Sequence, residues 1–131
     1  MRGVLALDEE LVIGKPEIFI SEAAANSFAV FFEDDGDTGY FYALDTDKQM
    51  PILDAVQIYN VANIVDKDRP SKLQIAWSND GLKSALLIND FVHAVFDFSR
   101  NRGYCRTGFP PMNDWSKDGH EWSDEAFSLF T

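Results

Sequence analysis

The sequence lacks several features that would point directly to a class of function. Cys105 is its only cysteine, so the chain cannot form an internal disulfide. No apolar run approaches the roughly 20 residues that a membrane-spanning helix needs. Phosphate-binding glycine loops and the Gly-x-Ser-x-Gly turn of serine hydrolases are also missing. These absences give no support to a disulfide scaffold, a helical membrane protein or a nucleotide-dependent enzyme, and we expect no cofactor and no metal.

Basic residues are scarce as well. The chain has 11 Lys and Arg against 22 Asp and Glu, which gives a formal charge of −11. Nucleic acids and anionic membranes attract proteins through Lys and Arg, so neither is an expected partner. The acidic excess is concentrated in residues 1–68, which hold 14 acids and 4 bases, while residues 69–131 hold 8 acids and 7 bases. Such a charge keeps a protein soluble and also attracts a basic protein partner.

The length of the chain limits the number of domains, and the amino-terminal residues bear on the cellular location. A chain of 131 residues with 46% hydrophobic residues has the size and composition of a single domain, 1–131. No linker rich in Gly, Ser or Pro divides it, and no internal repeat is visible. The apolar residues that follow Met1 give way to acids at Asp8, which leaves too short a run for a secretory signal. We therefore predict a cytoplasmic protein.

Short runs of β-branched and aromatic residues, bounded by Gly, Asn, Asp and Pro, indicate antiparallel β structure. The predicted strands are residues 18–20, 28–33, 40–44, 53–61, 72–77, 82–88 and 91–98. The last three form a predicted three-stranded meander, with turns at Asn79-Asp80-Gly81 and Asn89-Asp90. The run 85–88 is apolar at consecutive positions, which is typical of a strand near the centre of a sheet.

The predicted fold class is mainly β, an antiparallel meander forming a sandwich or a half-barrel. Residues 99–122 change character, with three Gly and two Pro, and are interpreted as a long ordered C-terminal loop. Ser123 followed by Asp124 and Glu125 is a helix start signal. At most one or two short helices are therefore expected.

Three strings of residues resemble a family of small bacterial proteins that is classed as a domain of unknown function. They are the acidic string from Phe32 to Asp45, Ile52-Leu53-Asp54-Ala55 with Tyr59-Asn60-Val61, and Gly103-Tyr104-Cys105-Arg106 with Phe109-Pro110. Together they span about residues 30–110, most of the chain. The resemblance implies a bacterial cytoplasmic protein and carries over no activity and no site residue.

The turn that holds Glu33, Asp34, Asp35 and Asp37 is the first candidate site. Clustered carboxylates suit hard cations, but in a calcium-loop alignment that starts at Asp34 the third ligand position falls on Gly36. The predicted flanks are also strands, whereas that loop requires helices. The pattern therefore indicates a solvated hairpin tip, which presents negative charge to a partner.

The second candidate is Cys105, which lies beside Arg102, Tyr104 and Arg106. Positive charge lowers the pKa of a thiol and makes it a nucleophile, and His120 could act as its base. A free cysteine is more often a small buried side chain, and the arginines pair more economically with the acidic first half of the chain. His93 is interpreted as a sheet histidine.

The aromatic residues are the third candidate. Those singled out for a ligand-binding cleft are Trp77, Trp115, Trp122, Tyr40, Tyr42, Tyr59 and Tyr104. The alternative for each of them is a place in the core of a β protein.

The leading functional hypothesis is a non-catalytic binding module for a basic protein partner, acting as a monomer or a dimer. One form of it is an acidic inhibitor that masks a basic protein, as small bacterial immunity proteins do. The alternative is a small hydrolase-like enzyme that uses Cys105 or His120 with clustered carboxylates in an aromatic-lined pocket. The predicted binding residues are Glu33, Asp34, Asp35, Asp37, Tyr40, Tyr42, Arg102, Tyr104, Arg106, Trp115, His120 and Trp122.

Overall fold

A computed structural model describes residues 3–24, 26–64 and 69–105. In this part of the chain it contains β-strands and one 3₁₀ turn, which covers Val61–Asn63. The strands are β1 (Gly3–Leu11), β2 (Glu17–Glu22), β3 (Phe28–Asp34), β4 (Thr38–Asp45), β5 (Ile52–Asn60), β6 (Ser71–Ser78), β7 (Lys83–Ile88), β8 (Phe91–Asp97) and β9 (Arg102–Cys105).

The strands form two antiparallel sheets. Sheet I has the order β1-β6-β7-β8-β9, and sheet II has the order β2-β3-β4-β5. Sheet II is a meander of consecutive hairpins, whereas β1 joins sheet I by pairing with β6, far away in sequence. The two sheets are not closed into a barrel.

The main core lies between the two sheets, because alternate residues of each strand point inward. Phe32 and Phe41 of sheet II and Leu73, Ile75 and Phe96 of sheet I are at most 1% exposed and belong to one apolar cluster. Burying each of these side chains contributes roughly 1.5–3 kcal/mol.

Specific contacts also join the two sheets. The Trp77 indole N–H donates to Ser21 Oγ at 2.9 Å, and the rings of Phe28 and Phe98 stack with their centroids 4.4 Å apart. These contacts fix the two layers relative to each other.

The predicted mainly β fold is confirmed, and so is the position of residues 85–88, since β7 is the middle strand of sheet I. The predicted turn at Asn89-Asp90 is confirmed by positive φ angles at both residues, +52° and +68°. The predicted strand 53–61 corresponds to β5, although Val61 already belongs to the 3₁₀ turn.

Two predictions need correction. No strand was assigned to residues 3–11, yet β1 occupies them, and a register shift between Leu5 and Leu7 breaks the alternation that would have revealed it. The interpretation of residues 99–122 as irregular is wrong at residues 102–105, where β9 pairs with β8. The helix expected after Ser123 lies outside the described residues.

Candidate functional site

The outer face of sheet II carries a continuous row of apolar side chains. The strand register places Ile20 opposite Phe31, and Phe31 opposite Tyr42. The rings of Phe31 and Tyr42 stack at 4.4 Å, and Tyr40 packs against Tyr42 at 5.8 Å. The aromatic face is defined here as Ile18, Ile20, Phe31, Tyr40 and Tyr42.

Solvent reaches much of this face. Ile18 is 53% exposed and Ile20 is 61% exposed, although both belong to a regular strand. Phe31, Tyr40 and Tyr42 are half-buried against one another. Large apolar side chains that align on one exposed surface are typical of an interaction site.

Carboxylates surround the aromatic face. Glu33 lies in the second row of the sheet, directly between Ile18 and Tyr40. Asp35 and Asp37 follow it in the exposed turn from β3 to β4, and Glu17 and Glu22 are the two end residues of β2. Glu22 lies on the same side of β2 as Ile18 and Ile20, whereas Glu17 lies on the side of the buried Phe19. The acidic rim is therefore defined here as Glu22, Glu33, Asp35 and Asp37. It gives the aromatic face a negative border.

Asp34 does not belong to this exposed charge, although the sequence placed it with its neighbours. Its side chain is fully buried, and its carboxylate accepts three hydrogen bonds. The donors are Gly14 N at 2.7 Å, Tyr59 Oη at 2.6 Å and Gly36 N at 2.8 Å. Buried carboxylates need such partners, so Asp34 stabilises the fold and cannot contact a partner.

The bond from Tyr59 to Asp34 depends on a close approach over β4. A Cβ added to Gly39 would lie 2.6 Å from Tyr59 Cζ and 2.9 Å from Phe32 Cζ, well inside contact distance. Glycine at position 39 therefore lets the Tyr59 ring cross the strand. Burial, reinforced by the hydrogen bond to Asp34, raises the pKa of Tyr59, so the phenol keeps its proton and donates it.

Asp35 organises the tip of the hairpin. Its Oδ1 accepts the backbone N–H of Asp37 at 2.9 Å and of Thr38 at 2.8 Å. These bonds favour the ionised carboxylate, so they lower the pKa of Asp35 below its ordinary value of 3.8. The turn therefore presents a fixed negative charge at neutral pH.

The acidic rim affects the ionisation of Tyr42 on the aromatic face. Burial raises the pKa of Tyr42, and the negative charge of Glu33 raises it further. Tyr42 therefore stays a neutral phenol that can donate a hydrogen bond, while the rim beside it stays anionic.

Arg102 and Tyr104 lie elsewhere, on β9 of sheet I. The Arg102 guanidinium stacks over the Tyr104 ring at 5.0 Å, and Tyr104 packs with Ala85 and Val95 in a small second cluster. Arg102 Nε is buried and has no hydrogen-bond partner in the part of the chain that the structure describes. The structure therefore does not bring these two residues to the acidic tip.

Arg100 and Arg102 have local contacts within the second half, and the expected pairing of the arginines with the acidic first half stays a prediction. Arg100 lies 3.8 Å from Asp97, three positions away in the second half. Arg102 stacks on a neighbouring tyrosine of its own strand. Both contacts are local because a turn and a short strand bring these side chains close together.

Several predicted site residues fall outside the described part of the chain. They are Arg106, Trp115, His120 and Trp122. The backbone of Cys105 ends β9, but its side chain is likewise not described. The proposed pairing of Cys105 with His120 stays a prediction.

The described aromatic residues that were predicted to line one cleft lie in three separate places. Trp77 and Tyr59 belong to the main core, Tyr104 to the second cluster, and Tyr40 and Tyr42 to the outer face of sheet II. Trp77 borders a depression of about 200 Å³ together with Ala23 and Gly81. Of the aromatic residues predicted for the cleft, Trp77 alone among the described ones lines that depression. Across residues 3–24, 26–64 and 69–105, no group of three or more His, Cys, Asp or Glu side chains could hold a metal ion.

Sequence reasoning missed Ile18, Ile20 and Phe31. The signal was available in part, because residues 17–22 and 28–34 alternate so that Ile18, Ile20 and Phe31 share one side of their strands. The register between the two strands was needed to place these side chains in one row with Tyr42, and the sequence does not specify it.

Comparison with known proteins assigns the chain to a family. Residues 11–131 match the model of the DUF2251 family, which is described as an uncharacterized protein conserved in bacteria. The chain belongs to this family. The matched region includes the whole of sheet II and the acidic tip. The resemblance found in the sequence is thereby confirmed.

A relative of this DUF2251 chain is found in Haemophilus influenzae, where it is named "Uncharacterized protein". The two are 41% identical over 119 residues, which is 87% of this chain and 74% of the relative. No solved structure matches the DUF2251 chain. Among its described residues, no helix has the length and apolar character to pass through a membrane.

Proposed function

We propose that this protein is a non-catalytic binding module that takes a cationic segment of a partner protein on the aromatic face of sheet II. The observation that carries the proposal is the exposed row of Ile20, Phe31 and Tyr42 with Glu33 in the adjacent row. Apolar side chains supply most of the affinity at an interface, because water leaves them on binding. The surrounding carboxylates attract and orient a cationic partner.

The charge distribution supports a protein segment with both apolar and basic side chains. A purely cationic ligand would leave Ile18 and Ile20 exposed, and a purely apolar ligand would leave the rim uncompensated. Aromatic residues are enriched at interface hot spots, and Tyr40 and Tyr42 also offer phenol groups for hydrogen bonds. An inhibitor that masks a basic protein is one biological use of such a surface.

The test compares two variants that lose the same number of charges from different sheets. One carries Glu33→Gln, Asp35→Asn and Asp37→Asn, and leaves buried Asp34 in place. Asn at position 35 can still accept the two backbone N–H groups of the turn. The matched control carries Asp8→Asn, Glu9→Gln and Glu10→Gln on β1 of sheet I, where all three side chains are exposed.

The probe is a fluorescent peptide of Lys and Val residues that presents both residue types on each face of an extended strand, and the readout is its anisotropy. We expect the rim variant to weaken binding on the order of tenfold, and the β1 control by less than about twofold. Ile20→Ser should weaken binding at constant charge, because it removes apolar contact. Equal weakening by the two charge variants, or no binding by the unmodified protein, would overturn the proposal.

A further inference from the structure

The strand β2 is an open edge of sheet II. Among the described strands, only β3 pairs with it, and the register of that pair is regular from Glu17 to Glu22. Natural edge strands are usually protected from further pairing by a bulge, a proline or charged side chains. β2 has no bulge and no proline, its charges are confined to its two end residues, and it exposes Ile18 and Ile20 between them.

The other edges differ from β2. On the same side of the sandwich, β1 has a register shift between Leu5 and Leu7, followed by three consecutive acids. On the opposite side, β5 of sheet II lies against β9 of sheet I. Among the described strands, β2 is therefore the edge best suited to receive another strand.

Backbone geometry defines what β2 offers. In an antiparallel pair, alternate residues direct both their N–H and their C=O toward the partner. Half of the six residues of β2 therefore direct these groups away from β3. An added strand would bond to them and would extend the row of Ile20, Phe31 and Tyr42 by one more position.

Charge decides between a second copy of this chain and another partner. Opposite residues of an antiparallel pair point to the same face of the sheet, so two β2 strands can pair only around a central residue such as Ile20. This pairing would set each Glu22 opposite Ile18 of the other copy, beside the Glu33 that pairs with that Ile18, and it would join two chains of formal charge −11, which repel each other. A segment with a basic residue opposite Glu22 would instead form a favourable cross-strand pair.

We propose that the cationic partner segment binds by adding to β2 as an extended strand. This inference rests on the proposed function and specifies how the segment is held. A segment of about six residues, roughly 20 Å long, covers the edge. Its apolar side chains opposite Ile18 and Ile20 continue the aromatic face, and a basic side chain opposite Glu22 lies on the same face. Main-chain hydrogen bonds make this recognition tolerant of sequence, while the apolar and basic side chains on the outer face of the segment make it selective.

Hydrogen exchange measured by NMR tests the proposal on the full chain with the same Lys-Val peptide. In the free protein, the β2 amides that point away from β3 should exchange quickly, because water reaches them. With the peptide bound, we expect these alternate amides to exchange about tenfold more slowly or more, while the β1 amides remain unchanged.

A pair of matched variants gives a second measurement. Ile18→Lys and Leu5→Lys each add one positive charge to an edge strand at side chains of nearly equal exposure, 53% and 52%. Ile18→Lys makes the edge of β2 less favourable for pairing with a further strand, and it repels the cationic peptide. We expect it to weaken binding about fivefold or more, and Leu5→Lys to change it by less than about twofold.

The outcomes separate the two proposals. Peptide binding without protection of the β2 amides would overturn strand addition and leave the aromatic face as the site. A complete lack of peptide binding would overturn the proposed function itself. Protection of β2 that grows with protein concentration in the absence of peptide would show that a second copy occupies the edge, and would also overturn this inference.

Discussion

The carboxylates of the acidic tip show that neighbouring residues of one type have different roles. Asp34 is fully buried and accepts three hydrogen bonds, whereas Asp35 and Asp37 are exposed. The sequence shows the cluster but not this division. The partners of Asp34 come from Gly14 and Tyr59, 20 and 25 positions away, so only the tertiary fold reveals its role.

Replacing Asp34 by alanine tests this division. The change leaves the N–H of Gly14 and the hydroxyl of Tyr59 buried without their acceptor, and each such loss costs about 1–3 kcal/mol. We expect the free energy of unfolding to fall by about 3 kcal/mol, measured by urea denaturation. Asp37→Ala, the matched control, should change it by less than about 0.5 kcal/mol. Equal effects would show that Asp34 has no special structural role.

At the scale of elements, the sequence predicted the strands that show a period of two or a continuous apolar run, and missed β1 and β9, which show neither pattern clearly. In β4, Tyr40, Phe41, Tyr42 and Ala43 alternate between partly exposed and buried positions, as a period of two predicts. The strand β9 has only four residues and is defined by its pairing with β8. A short strand of this kind depends on its neighbour for its hydrogen bonds, and its own sequence does not predict it.

The turn from β7 to β8 provides a prediction at the same scale. Asn89 and Asp90 both have the positive φ angles of a two-residue hairpin turn, and glycine adopts the second position with less strain. Asp90→Gly removes an ion pair with Lys72, but an exposed ion pair contributes little to stability. We expect it to raise the unfolding free energy by about 0.5 kcal/mol.

The control for this turn is Asp90→Asn, which removes the same charge but keeps a side chain at the positive φ angle. A comparison of the thermal unfolding of the two variants separates the effect of backbone strain at position 90 from the effect of losing the ion pair. A glycine variant no more stable than the asparagine variant would contradict the account of the turn.

At the scale of the whole molecule, turns in the described part of the chain stabilise the ionised forms of Asp35, Asp45 and Asp80. The Asp37 N–H lowers the pKa of Asp35, the Ser27 hydroxyl lowers that of Asp45, and the Ser78 hydroxyl lowers that of Asp80. Each pKa is lower in the folded chain than the ordinary 3.8, so each group stabilises the fold above that pH. That stabilisation is lost as the pH falls through the folded values.

The expected result is a thermal midpoint that changes little between about pH 7 and 5 and falls steeply below about pH 4. Circular dichroism melts at a series of pH values measure it. Asp80→Asn serves as the comparison, since it should be less stable at neutral pH and show a smaller loss in acid. A midpoint unchanged between about pH 5 and 3 would exclude this linkage.

The pairing of β1 with β6 has a consequence for how the chain acquires its structure. Gly3 pairs with Ser78 and Leu11 with Ser71, so the partners are 75 and 60 positions apart. During synthesis, β1 emerges before the other described strands and cannot pair until β6 has been made. The hairpins of sheet II, which lie between β1 and β6 in the chain, can form before that. Non-local pairing of this kind slows folding. Asp8, Glu9 and Glu10 precede the last residue of β1, and such charged side chains disfavour the pairing of this strand with a second copy before β6 is available.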